Sequence, residues 1–104
     1  MTNKLKAKTQ HTPTPWAICQ SAPSLIRVDD FILAQTFGRH SSSEVDEMWA
    51  NAEFIVRAVN SHEHLLNACK IALPELELDA RHGEQDAVKA VKVLKAAIAK
   101  AEAR

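Results

Sequence analysis

Five histidines, two cysteines, a run of three serines and several adjacent carboxylates are the residues of this 104-residue chain with the means to do chemistry. His62-Glu63-His64 sets two imidazoles around a carboxylate, the composition of a metal site. On a helix, residues i and i+2 point about 200° apart, so these two rings cannot share one ion. Zinc peptidases space their histidines four apart across a Glu, a pattern this sequence lacks. His62 and His64 therefore read as capping or surface residues near a helix start, and His11, His40 and His82 as solvated tail or loop residues. No G-x-S-x-G elbow or Cys-His signature surrounds a nucleophile. Ser41, Ser42 and Ser43 read as a helix start whose free amides could touch an anion. Gly38 and Gly83 are the two glycines, too few for a phosphate-cradling loop. Asp29-Asp30 and the Glu75, Glu77, Asp79 series read as turn and solvated-face residues. No catalytic residue, no metal and no cofactor is expected, and the chain reads as non-enzymatic.

Charge narrows the partners. Thirteen basic and thirteen acidic residues cancel, so no global field advertises nucleic acid or an anionic membrane. Lys4, Lys6 and Lys8 make the N-terminus locally basic, and Lys89, Lys92, Lys95 and Lys100 recur near the other end. A groove-reading helix carries Arg with Asn or Gln, whereas here Lys alternates with Ala. Nucleic-acid binding is thus a minor alternative. No apolar run approaches the roughly 20 residues of a membrane span. No apolar stretch follows the basic residues 1–8, so no secretory signal is read and a cytoplasmic location is expected. In that compartment Cys19 and Cys69 read as reduced, small core residues, with a disulfide as the alternative.

The elements that must position these residues follow from periodicity. Residues 1–14, polar, basic and interrupted by Pro13, predict a flexible basic tail, and residues 15–104 a single α+β domain. Three β-prone runs, 16–19, 25–28 and 31–35, are separated by the turn-forming Gln20-Ser21-Ala22-Pro23-Ser24 and by Asp29-Asp30. Alternation pairs Trp16 with Ile18, Ile26 with Val28, and Phe31 with Leu33 on common faces. An N-terminal three-stranded antiparallel β-meander is the simplest arrangement, and it needs helices to cover one face.

Ser41 and Glu44 fit a capping box, with Ser43 and Asp46 as the adjacent alternative. Val45, Met48, Trp49, Ala52, Ile55, Val56 and Val59 then recur at helical steps as one apolar stripe. Asn60-Ser61 predicts a break, with Asn60 ending one helix and Ser61 capping the next. Leu65, Leu66, Cys69, Leu73 and Leu76 form a second stripe that Pro74 would kink, and Gly83 suits a C-terminal cap. Ala87, Val91, Leu94, Ile98 and Ala101 step by four and three as a short heptad seam. It suits an antiparallel C-terminal helical hairpin or a helix–helix contact between subunits, and it predicts a homo-oligomer.

One polar constellation lies on the first helix: Asn51, Glu53, Arg57 and Asn60. Glu53 and Arg57, four apart, predict a helical ion pair worth about 0.3–0.5 kcal/mol. Asn51 is a poor helix former, which suggests a hydrogen bond against the sheet or across a dimer. Trp16 and Trp49 are expected in the core, and either could stack on a base if partly exposed.

Two segments carry a resemblance. His11-Thr12-Pro13-Thr14-Pro15-Trp16 is similar to the "HTPGPW" opening of a group of short phage and prophage accessory proteins, with Thr14 in place of Gly. Residues 51–66 are similar to that group's "NAxxIxxAxxxHxxLLxA" helix, through Asn51, Ala52, Ile55, Ala58, His62, Leu65 and Leu66. The Ala-rich closing helix is similar in composition. The resemblance implies a phage-encoded accessory protein acting in the bacterial cytoplasm. Small phage proteins of this build include homo-oligomeric sponges for nucleotide-derived immune signals, such as the Thoeris anti-defence proteins. A sponge of that kind implies Arg57, Asn60, Asn51, Arg27 and Trp16 as ligand-binding residues, supplying donors for phosphate and ribose and a face for a base. The competing expectation is a protein-binding inhibitor that docks its helices on a host or defence protein.

Overall fold

A computed structural model describes residues 10–39 and 44–103, in an α+β fold. Strands β1 (Ala17–Ile18), β2 (Leu25–Val28) and β3 (Phe31–Gln35) precede helices α1 (Glu44–Arg81) and α2 (Gln85–Glu102). The chain divides into two compact units, Met1–Asn60 and Ser61–Arg104. No helix among the described residues is long and apolar enough to cross a membrane.

In the first unit the strands form the expected antiparallel meander, in the order β1-β2-β3. Asp29-Asp30 connects β2 to β3 directly, with Val28 paired to Phe31. Asp29 takes a φ of 53°, the left-handed conformation that tight hairpins need and that Asp tolerates better than most side chains. The register shifts between Ile26, paired with Ala34, and Arg27, paired with Ile32. That bulge leaves Leu33 as the extra residue of β3. Ile26 is fully buried at the centre of the sheet.

The sheet reaches the helix through polar anchors. Thr36, only 6 % exposed, donates its hydroxyl to the Met48 carbonyl at 2.6 Å. Its amide donates to the Ser24 carbonyl at 2.9 Å. Ala52, one turn beyond Met48, has no exposed surface. Asn51 donates to the Phe37 carbonyl at 2.8 Å, so its local reason is the loop that leaves β3. Glu47 receives Arg39 twice over, from the backbone amide and from the guanidinium Nε at 2.9 Å. That carboxylate holds the Arg39 guanidinium above its ordinary pKa, chiefly through the hydrogen bond and then by charge.

Several expectations for α1 are corrected. The helix runs without interruption from Glu44 to Arg81, through Asn60-Ser61 and through Pro74. An Asn ends a helix when its side chain competes for nearby backbone or it enters the left-handed region. Here the Asn60 amide is committed to Trp16 instead, and Asn60 shows no positive φ. His62 and His64 consequently lie exposed inside the helix, away from any start. No ion pair joins Glu53 to Arg57. Arg57 lies over the Phe54 ring at 5.8 Å, a contact of about 0.5–1 kcal/mol that competes with an exposed pair of no greater worth. Trp49 is 43 % exposed and Val45 51 %, so neither belongs to the core. The proposed cap at Ser41 or Ser43 lies outside the described residues, as do positions 1–9 of the basic tail.

The second unit is the helical hairpin. Gly83, with a φ of 89°, ends α1 in a Schellman arrangement: its amide donates to Ala80 at 3.1 Å and the Glu84 amide to Asp79 at 3.3 Å. Glu84 caps α2 by accepting from the Asp86 amide at 3.2 Å. Lys70 pairs with Glu102 and Glu77 with Lys95, the latter at 3.2 Å, as antiparallel helices require. Such exposed pairs set register more than stability. Ala87 is buried, and Val91, Leu94 and Ile98 are half-buried, so the heptad seam is turned into this hairpin.

Candidate functional site: a groove beneath the N-terminal segment

The residues that close the first unit also build a concavity on it. Asn60 grips the backbone of Trp16 with both ends of its amide. Its Oδ1 accepts from the Trp16 amide at 2.8 Å, and its Nδ2 donates to the Trp16 carbonyl at 3.0 Å. The indole Nε1 of Trp16 donates to the Thr12 carbonyl at 3.0 Å, folding the preceding segment back on itself. That segment contains a cis bond between Thr14 and Pro15. Asn60 therefore fixes Trp16, and Trp16 fixes residues 12–15.

Residues 12–15 line a groove of about 740 Å³ together with Ala17, Arg27, Val28, Asp29, Phe31 and Leu33. The volume falls in the range of small-molecule sites. Pro13, Pro15, Val28, Leu33 and the 74 % exposed Phe31 supply apolar surface. Charge comes from two side chains. Arg27, half-buried, donates one guanidinium N–H to the Asp29 carbonyl oxygen at 2.9 Å. Among the described residues no carboxylate forms an ion pair with it. The Asp29 side chain, exposed beside it, is a hydrogen-bond acceptor. The groove can thus offer apolar faces, a cation with unused donors and a carboxylate.

The five residues expected to bind a ligand divide. Arg27 lines the groove, while Trp16 and Asn60 lock the segment that lines it. Asn51 and Arg57 are engaged elsewhere, with Phe37 and Phe54. Pro13, Pro15, Asp29, Phe31 and Leu33 are the lining residues that pattern reading assigned to tail, turn and strand. Their signal was present in the two prolines flanking Thr14, but only the fold-back of Trp16 onto Thr12 gives it a place.

Cys19 and Cys69 are free thiols, each half-buried. Cys19 lies 3.3 Å from the Ser21 hydroxyl in the turn after β1. That hydrogen bond, helped by the amides of Ala22 and Ser21 and by the charge of Arg27, holds its pKa below the ordinary thiol value against the opposing effect of burial. Cys19 is therefore a polar turn residue as well as a packing one. No family model, curated protein or solved structure matches this chain.

Proposed function

We propose that the chain is a phage-encoded, non-enzymatic accessory protein that works by binding, as an oligomeric sponge for a nucleotide-derived immune signal. The observation that carries this reading is the groove at Arg27: apolar walls around a guanidinium that, among the described residues, no side-chain carboxylate neutralises. Each part suits a component of a nucleotide. The free guanidinium donors suit a phosphate, the Asp29 carboxylate suits ribose hydroxyls or an exocyclic amine, and Phe31 with the prolines suits the face of a base. A sponge holds its ligand without transforming it, so it needs no nucleophile or general base. Calorimetry of the full chain against cyclic nucleotides and cyclic ADP-ribose isomers tests this. Heat of binding that disappears in Arg27→Ala is expected, and absence of heat with every ligand overturns the reading.

A second reading, docking on a host or defence protein, is favoured by the apolar side chains exposed along α1. Phe54, Leu65 and Ile71 are 62 %, 63 % and 76 % exposed. A docked partner would take these side chains out of water. Pull-down from host lysate separates the two: a stoichiometric protein partner supports docking, and a co-purifying small molecule supports the sponge.

A further inference from the structure

Helix α2 carries two apolar faces, and the hairpin uses one of them. Val91, Leu94 and Ile98 are half-buried and Ala87 is buried, on the side held to α1 by the two cross-helix ion pairs. The other face begins with Asp86, passes through Ala90, Val93 and Ala97, and ends with Lys100, at steps of four, three, four and three. Val93 is 68 % exposed on it. Beside Val93 runs a groove of about 410 Å³ lined by Leu76, Lys89, Ala90, Leu94 and Ala97. A heptad-spaced face around a bare valine, next to an apolar groove, is the surface that one helix offers another.

We infer that this face receives the same face of a second copy of the chain, the two α2 helices running antiparallel with Val93 at the two-fold axis. Charge complementarity selects this occupant and this direction. Asp86 and Lys100 stand seven residues to either side of Val93, both exposed, and neither has an ion-pair partner among the described residues. Antiparallel pairing brings Asp86 of each copy to Lys100 of the other, so both ends of the contact are satisfied at once. Parallel pairing would set Asp against Asp and Lys against Lys. Antiparallel helices also oppose their dipoles favourably. Ala90 and Ala97 allow close approach, so each Val93 enters the groove of its partner, and an isologous contact of this kind closes at a dimer. The inference rests on the oligomeric reading above and assigns its interface.

The test is the mass of the full chain by sedimentation equilibrium over a range of concentrations. A dimer is expected. Asp86→Lys should weaken it about tenfold, because two attractions become two repulsions. The double swap D86K/K100D should restore the wild-type affinity. Val93→Glu, at an exposed position that leaves the hairpin core intact, should give a monomer with unchanged helical circular dichroism. A dimer indifferent to D86K and V93E overturns this interface and leaves oligomerisation standing. A swap that fails to restore the dimer overturns the antiparallel register. A monomer at every concentration overturns both the interface and the oligomeric reading.

Discussion

Removal of the Asn60 amide gives the sharpest test of how the groove is held. Asn60→Ala deletes the acceptor for the Trp16 amide and the donor to the Trp16 carbonyl, bonds of 2.8 and 3.0 Å. Each is worth about 0.5–1.5 kcal/mol net, so the loss is about 1–3 kcal/mol. Ala is the better helix former, which returns about 0.5 kcal/mol at this interior position. The variant should therefore lie about 0.5–2.5 kcal/mol below wild type. Trp16 and Trp49 both belong to the first unit, so tryptophan fluorescence in urea reports on that unit directly. With a slope near 1 kcal/mol/M for so small a unit, the midpoint should fall by about 0.5 M or more. Asn60→Asp keeps the acceptor and loses the donor, so at neutral pH it too should fall below wild type. A midpoint for Asn60→Ala equal to or above that of wild type would show that the clamp contributes nothing and that residues 12–15 are held by other means.

Two further perturbations probe the same unit. Thr36→Val preserves shape but removes the hydroxyl that donates to Met48, leaving the helix anchored to the sheet by one bond fewer. A loss of about 1–2 kcal/mol in the same urea assay is expected, and stability equal to wild type would refute the anchor. Cys19 should alkylate with a pH midpoint below that of an ordinary thiol, because the Ser21 hydroxyl stabilises the thiolate. Ser21→Ala removes the largest favourable cause, so the midpoint should move up, and a midpoint that stays put or moves down contradicts the assignment.

Much of the scaffold was legible in the sequence. The strands at 25–28 and 31–35, the two-residue Asp29-Asp30 turn and the cap at Gly83 are local matters. Alternation, turn chemistry and the left-handed preference of Gly lie within a few residues of one another. The seam from Ala87 to Ile98 was likewise readable, although it suits a hairpin and a subunit contact equally, and its use in the hairpin is a matter of tertiary pairing.

Asn60 shows most clearly what the sequence determined by itself and what it could not. The residue type specified an amide with one donor and one acceptor, and that composition is equally that of a helix terminator. Its role depends on whether a backbone partner lies within reach, and the partner, Trp16, is 44 residues away in the chain. Once Trp16 occupies the amide, the side chain no longer competes for its own helix backbone, and α1 continues to Arg81. The same contact brings residues 12–15 over the sheet and makes Arg27 a groove residue. Sequence periodicity determines which residues can share a face, because it is set by backbone geometry alone. Which polar group meets which, and hence where a ligand has room to bind, was decided only when distant segments met.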